Sequence, residues 1–382
     1  MTSLNAATAD ALAQLKPDHR PRVLVGFDGF IDHIIKVVDT RADEQTYQAM
    51  PTIAHLGKKI SAAAGKSANF ELVVTKSKIG GNGPIMANAL CSYDHVVSTI
   101  GLLGEGGIDP VFTPLTDRAE TVINLGGPGI TDALEFEDGK LMLGKLTPLK
   151  NISYTNILDK IGGKQALIDL VKRSSAVATV NWTMSIGLTE IWEKMAAEIL
   201  PNLGGKRPLW FVDLADPAKR TVADRKAAFA ALGRMQKHVD VVLGMNEMEL
   251  RQVLETIGKS WQDGGTEYEQ ARKGCEIVRD ALGLGFAMCH LVKSAACAWS
   301  AGAGRHGNAA AGSACGDGFF DPKPVITTGA GDHFNAGFVC AILGGLHPEQ
   351  ALQAGGATSG HYVRTAVSPS RADTIAFLRK HA

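Results

Sequence analysis

The sequence predicts an α/β fold: a mostly parallel central sheet flanked by helices, with a small β-sheet lid. Three observations carry this reading. Short runs that are apolar on both faces recur between amphipathic helical patterns, as expected of strands buried on both sides. Strand and helix patterns take turns along most of the chain. A few segments of alternating polarity interrupt that order and predict a separate small sheet. The chain has 382 residues, 45% hydrophobic and 20% charged, which is ordinary globular usage. That length easily supports a large α/β core.

Taken in order, "RVLVGF" (22–27) is a short apolar run that ends in Gly and Asp, and it reads as a buried strand. "HVVSTIG", "SSAVATVNW", "PLWFVDL", "VDVVLG" and "GFAMCHLVK" are runs of the same kind. Between them, "PIMANALCSY", "GLTEIWEKMAAEIL", "ADRKAAFAALGRMQKH", "NEMELRQVLETIG" and "EQARKGCEIVRDALG" have the helical period. Three helical stretches close the chain from Asp332 onward. The whole chain, 1–382, reads as one unit, with the lid formed by excursions at about 30–40, 69–80 and 121–147. Asp138-Gly139 is a good hairpin turn inside the last excursion. The Gly/Ala-rich stretch Ser300 to Gly318 reads as a loop.

Composition excludes several functions. Formal net charge is zero, so nothing draws the chain to nucleic acid or anionic lipid. No apolar run approaches the roughly 20 residues needed to span a bilayer. The first twenty residues lack a basic start followed by an apolar core, so no secretory signal is expected. Six scattered cysteines without a CxxC pair predict reduced thiols and a cytoplasmic protein. "GAGRHG" at Gly302, Gly304 and Gly307 matches a dinucleotide fingerprint, but no helical pattern follows it. "GKS" at 65–67 has Ile60 where a P-loop needs its first glycine. His33, His55 and His95 lack metal-ligand spacing.

The stretch "TTGAGDHFNAGF" (327–338) carries more information. Thr327 and Thr328 end an extended segment. Gly329, Ala330 and Gly331 suit a tight approach of backbone to a ligand. Asp332 then opens a helix with Phe334, Phe338, Val339 and Ile342 on its apolar side. Unpaired N–H groups at such a helix start hold phosphate. Taken alone, Asp332 also fits a simple helix cap.

This stretch resembles the C-terminal signature of the ribokinase-like (PfkB) carbohydrate kinases, Asp-Thr-x-Gly-Ala-Gly-Asp, with Thr327 in place of the first Asp. Other landmarks follow in family order. "GFDGFIDHI" resembles the first-strand motif whose Asp grips sugar hydroxyls, and Asp32 matches it best. "IGGNGPIMANAL" resembles the Gly-Gly motif that closes over the sugar. "STIGLLGEGGID" resembles the next strand and loop. "GMNEMEL" supplies Asn246 and Glu249 for the Asn-x-x-Glu motif. "LVKSAACAWS" stands where a strand pair touches nucleotide. Two positions depart from the pattern: Ile85 falls where a polar Asn is usual, and Lys293-Ser294 replaces Thr-x-Gly. "GGNGPIMAN" and "LGMNEMEL" are also similar to motifs of ADP-dependent sugar kinases.

The resemblance implies a single ribokinase-like kinase domain that moves the γ-phosphate of ATP to a hydroxyl of a sugar or sugar-like molecule. Asp332 would be the general base, and Gly329, Ala330 and Gly331 would receive the transferring group. Asp32, Gly80, Gly81 and Asn82 would hold the sugar, beside strand-end residues such as Asn181 and Trp182. Asn246, Lys293, Ser294, Thr328 and Gly331 would contact nucleotide, with the loop from Ser300 beside the adenine. Glu249 would act on Mg²⁺ through water. The family also leaves room for a monovalent cation and for a homodimer built through the lid. An ADP-dependent kinase and a catalytically silent sugar- or nucleoside-binding relative stay open as alternatives.

Overall fold

The computed structural model describes residues 3–16, 18–261, 264–304 and 310–382. Helix α1 (Leu4–Gln14) precedes β1 (Arg22–Gly26). The chain then leaves the main sheet for β2 (Phe30–Arg41), β3 (Tyr47–Ala49), α2 (Ile53–Ala62) and β4 (Leu72–Gly80). It returns through α3 (Asn82–Ser92) to β5 (Val96–Gly101), and a short α4 (Thr113–Thr116) leads to β6 (Thr121–Asn124). A second excursion is the hairpin β7 (Gly129–Phe136) and β8 (Gly139–Lys145). After it come α5 (Tyr154–Ile161), α6 (Lys164–Arg173), β9 (Ala176–Thr179), α7 (Leu188–Lys194), β10 (Leu209–Asp213), α8 (Val222–Met235) and β11 (Asp240–Asn246). Then follow α9 (Glu247–Thr256), α10 (Glu267–Leu282), β12 (Phe286–His290), β13 (Ser294–Trp299) and β14 (Gly312–Asp317). The last elements are α11 (Ala330–Leu343), α12 (Pro348–Thr365) and α13 (Arg371–Lys380).

Among the described residues the main sheet has nine strands, in the order β14-β13-β12-β11-β10-β9-β1-β5-β6. Neighbours from β12 to β6 run parallel, and β13 and β14 turn back antiparallel at one edge. Successive residues of a strand serve opposite faces. Leu24, Val177, Trp210, Val212, Val241 and Leu243 pack on one side, under α5 to α10. Val23, Val25, Ala178, Phe211 and Val242 pack on the other, under α3, α11 and α12. This double burial is why the strands show no polar alternation in the sequence.

The lid sheet runs β3-β2-β7-β8, with β4 paired to β2. One of its faces, with Ile35, Val37 and Leu134, packs with Met50 and with Leu56 of α2. The other carries Asp32 beside its cross-strand neighbours Lys78 and Thr131.

Three expectations differ from what is observed. Residues 121–124 lie in the main sheet, paired in parallel with β5 from Ser98↔Thr121 to Gly101↔Asn124, and only the later part of that excursion joins the lid. The stretch 300–318 is not loop throughout: Gly312–Asp317 is an edge strand on β13. Gly307 of the fingerprint-like match, with its neighbours 305–309, lies outside the described residues. Finally, α11 opens at Ala330, with Gly329 as its N-cap at φ +90°. Asp332 is therefore the third helical residue, makes no cap bond, and does not open the helix.

Candidate active site

The candidate residues gather at the carboxyl ends of the parallel strands, where open α/β sheets bind ligands. At the start of α11, Ala330 N–H donates to the Thr327 carbonyl at 3.1 Å and closes a turn. Among the described residues no hydrogen bond engages the N–H groups of Gly331 and Asp332, which face out of the first turn. Two side chains fix the turn from behind. Tyr362 Oη donates to the Thr328 carbonyl at 3.1 Å, and His333 Nδ1 pairs with the Gly329 carbonyl at 2.7 Å. The two rings stack at 3.6 Å. Gly329 needs to be glycine for its positive φ, and also because a Cβ would lie 3.2 Å from Ile85 Cγ2 and 3.3 Å from Tyr362 Oη. Ile85 thus props the turn where the resemblance leads one to expect a polar residue.

Asp332 is buried, and its carboxylate accepts a bond from Asn82 Nδ2 at 2.9 Å. Burial pushes its carboxyl well above the usual carboxylate range, and the charge of Asp213 pushes it further. Asn82 in turn is placed by Asp28. One Asp28 oxygen accepts Asn82 N–H at 3.0 Å and Asn181 Nδ2 at 2.8 Å, and the other accepts Gly83 N–H at 2.7 Å. Burial raises Asp28 to about 6 despite these bonds. Gly81 supplies the positive φ, +86°, that lets the chain turn from β4 into α3. A Cβ on Gly80 would stand 2.3 Å from Asp32 Oδ1, so that glycine makes room for the Asp32 carboxylate. Asp32 is buried at the base of the lid. Burial raises its carboxyl, and Lys78 draws it partly back.

Beyond Gly331 opens a cavity of about 920 Å³, lined by Asn246, Glu249, His290, Ser294, Phe319, Phe320, Thr327 and Gly331 among others. Asn246 and Glu249 form a reciprocal cap at the start of α9. Glu249 Oε2 accepts Asn246 N–H and its Oε1 accepts Asp216 N–H, each at 2.8 Å. Burial raises the Glu249 carboxyl. Of the other expected nucleotide contacts, Ser294 lines the cavity and Lys293 does not: its ammonium lies 5.0 Å over the Phe320 ring. Thr327, not Thr328, faces the cavity. Trp182 is a core residue, fully buried, with Nε1 donating to Thr189 Oγ1.

Sequence reasoning missed four participants. Asp28 stands four residues before Asp32 in the same motif. Asp213 ends β10, where Oδ1 accepts Ala215 N–H and Oδ2 accepts Asn335 Nδ2, both at 2.9 Å. Its carboxyl is raised, by burial first and then by Glu249. His290 ends β12 and faces Gly331. A polar residue ending an apolar strand was the available signal for Asp213 and His290, and Asn335 was visible three residues after Asp332.

Comparison with known proteins follows the same lines. The family model for prokaryotic ketohexokinase matches residues 4–381. The chain belongs to the prokaryotic ketohexokinase family. It is a carbohydrate kinase. A ketohexokinase of Haloferax volcanii is 31% identical over 360 residues, covering 93% of this chain and 90% of that protein. The family's fold is the ribokinase fold. Arabidopsis thaliana ribokinase, solved with ribose and ATP, superposes with a TM-score of 0.60 at 18% identity, covering 94% of this chain and 99% of the other. A phosphofructokinase-2 variant of Escherichia coli superposes at 0.57 with 13% identity, over 94% and 99% of the two chains. Among the described residues no helix is long and apolar enough to cross a membrane.

Proposed function

We propose that this ketohexokinase-family enzyme transfers the γ-phosphoryl group of ATP to a hydroxyl of a ketohexose, with Asp332 as general base. The juxtaposition of Asn82 and Asp332 at 2.9 Å carries the reading. It ties the sugar-side helix α3 to the phosphate-side helix α11 at one carboxylate. The sugar lies between the lid and Asp332, held by Asp32, by Asn82 and by the backbone at Gly80 and Gly81. The nucleotide fills the cavity beyond Gly331, along Asn246 and Ser294.

Asp332 accepts the proton of the attacking hydroxyl. The sugar oxygen forms a bond to the γ-phosphorus as the bond from that phosphorus to the β-bridging oxygen breaks, and ADP leaves with the bonding pair. The N–H groups of Gly331 and Asp332 receive the phosphoryl oxygens, whose charge is spread in the transition state. Closure of the lid over the sugar excludes water, so that transfer to the sugar prevails over hydrolysis.

A divalent cation fits this site at one remove. The Glu249 oxygens are each engaged by a backbone N–H, and among the described residues no three acidic, His or Cys side chains form a direct metal cage. Yet Glu249 raises Asp213, both of them raise Asp332, and Asn335 Oδ1 is buried without a partner among the described residues. Asp213, Glu249 and Asn246 would hold Mg²⁺ through its water shell, and the ion would offset phosphate charge.

The test is turnover by the purified protein on ketohexoses, aldohexoses, pentoses and nucleosides, with ATP or ADP as donor and the product identified by mass. Phosphorylated ketohexose from ATP is the expected outcome. Turnover with ADP alone, or no turnover on any sugar with tight nucleoside binding, would overturn it.

A further inference from the structure

We propose that His333 is a positioning residue for phosphoryl transfer: held as its Nδ1–H tautomer by Ser368, it fixes the Gly329–Ala330 peptide and so the aim of the Gly331 and Asp332 N–H groups. The inference rests on the phosphoryl-transfer reading above. Gly329 sits at φ +90° and ψ +1°, a conformation that glycine enters and leaves at little steric cost. The peptide that follows it therefore needs a hold from outside, and it is held at both ends. Ala330 N–H donates to the Thr327 carbonyl at 3.1 Å. The Gly329 carbonyl takes the backbone N–H of His333 at 3.1 Å and pairs with its Nδ1 at 2.7 Å. The next two N–H groups along the chain are those of Gly331 and Asp332.

Which imidazole nitrogen carries the proton follows from the two ends of a chain of hydrogen bonds. At one end Arg118, just after α4, can only donate, and its guanidinium reaches Asn88 Oδ1. That sets the Asn88 amide, whose Nδ2 donates to Ser368 Oγ at 3.1 Å. Ser368 Oγ lies 2.8 Å from His333 Nε2. At the other end the Gly329 carbonyl can only accept. Nδ1 therefore carries the proton, and Ser368 O–H donates to Nε2. Burial holds the imidazole down at about 4, so the ring is neutral at neutral pH and has a single N–H to place. The opposite tautomer would turn the Nδ1 lone pair against the Gly329 carbonyl oxygen.

The same chain ties the turn to the sugar side of the site. Asn88 lies on α3, the helix whose first residue, Asn82, donates to Asp332 at 2.9 Å. Helix α3 thus reaches α11 twice, through Asn82 at the catalytic carboxylate and through Asn88 and Ser368 at the ring behind it. Tyr362 stacks on that ring at 3.6 Å and donates to the Thr328 carbonyl at 3.1 Å, so the ring and the neighbouring peptide brace each other. A histidine present for packing alone needs neither nitrogen. Here both are engaged, and one of them holds a backbone carbonyl of the turn.

His333→Phe keeps a ring to stack on Tyr362 and loses both nitrogens. His333→Asn keeps a donor at the place of Nδ1, and Ser368→Ala removes the bond that sets the tautomer. Kinetics with ATP and the ketohexose turned over fastest are measured beside thermal melts, and nitrogen NMR reads the ring tautomer, with His333→Phe identifying the signal. In His333→Phe kcat should fall about tenfold to a hundredfold, the scale of a misplaced transition-state donor, with KM for sugar and ATP changed by less than about threefold. His333→Asn should regain most of that loss, Ser368→Ala should lower kcat in the same direction, and the wild-type ring should carry its proton on Nδ1. A merely structural role predicts instead that kcat follows the melting temperature, with no recovery in His333→Asn. That result, a wild-type kcat in His333→Phe, a raised KM in place of a lowered kcat, or a wild-type ring protonated on Nε2 overturns the inference and leaves the kinase reading standing. If His333→Phe does not fold, Ser368→Ala decides: an unchanged kcat there overturns the inference. A wild type that phosphorylates no sugar overturns the kinase reading and the inference with it.

Discussion

Replacing Asp332 by Asn should raise the stability of the protein while nearly abolishing its turnover. Asp332 is buried and holds one side-chain hydrogen bond, from Asn82. It does not cap α11, because Gly329 occupies that position. Its carboxyl is raised by burial and then by Asp213, Asp28 and Glu249. The folded pKa therefore exceeds the unfolded one, and folding favours the protonated form. Below the unfolded value both states are protonated and the wild type loses nothing. As pH rises, the unfolded chain ionises first, and the wild type is destabilised increasingly until the folded group also ionises. Each tenfold difference in acidity between the unfolded and the folded carboxyl costs about 1.4 kcal/mol. An amide oxygen still accepts the Asn82 bond and carries no charge, so the variant escapes this cost. The expected gain is of the order of 1 kcal/mol or more near pH 8, roughly 1–2 °C per kcal/mol in a chain of this size, and it vanishes near pH 4. Loss of general-base catalysis should lower turnover about 10²- to 10⁴-fold. The assays are thermal melts across pH and product formation from ATP and the best ketohexose. Near-normal turnover would remove the proposed role of Asp332. A variant less stable than its parent at pH 8 would refute the electrostatic argument, whatever its rate.

Three further outcomes follow from the same geometry. Asp28→Asn should destabilise the protein by roughly 2–4 kcal/mol, because the carboxylate accepts three donors and an amide leaves one facing its own NH₂; it should also raise the sugar KM, read by urea unfolding and saturation kinetics. Asp213→Asn should move the acidic limb of the pH–rate profile to lower pH, since the Asp213 charge is one of the causes raising Asp332; an unmoved limb would detach that limb from Asp332. Gly331→Ala should weaken ATP several-fold in a direct binding assay with little change in melting, because its methyl would press on His290 at 3.1–3.2 Å.

The main sheet was legible because burial on both faces writes itself into composition: Val177 and Ala178, or Val241 and Val242, serve opposite cores and are both apolar. Strand β14 was not legible. "GSACGD" offers no side-chain pattern, and what makes it a strand is backbone pairing with β13. Thr121–Asn124 misled for the opposite reason: each of its residues is half-buried at the sheet edge, so it resembles a lid strand locally. At the site, Asp32 and the glycines at the start of α11 stood out through local motifs. Asp28 stood within the same motif, but its bonds reach 54, 55 and 153 residues along the chain. Asp213 meets Asn335 across 122 residues. Such pairings follow from strand order, which no local spacing encodes.

The proposed role of Asp332 also accounts for what surrounds it. A lysine or arginine beside the carboxylate would lower its pKa and hold its lone pairs in an ion pair, weakening it as a base. The groups that act most on Asp332 are instead three carboxylates and the neutral Asn82. Asn82 fixes the orientation of the carboxylate without neutralising it, and the carboxylates keep it basic. Basic side chains do stand nearby, but at the lid: Lys78 and Lys140 act on Asp32, where a carboxylate that binds hydroxyls has no need of high basicity. The two aspartates, both buried, are thus given opposite electrostatic settings by their neighbours. The one set among positive charge is the one assigned to hold the sugar, and the one set among negative charge is the one assigned to take its proton. The local motifs that point to these roles say nothing of the surrounding charge, and the charge is nevertheless arranged as the roles require.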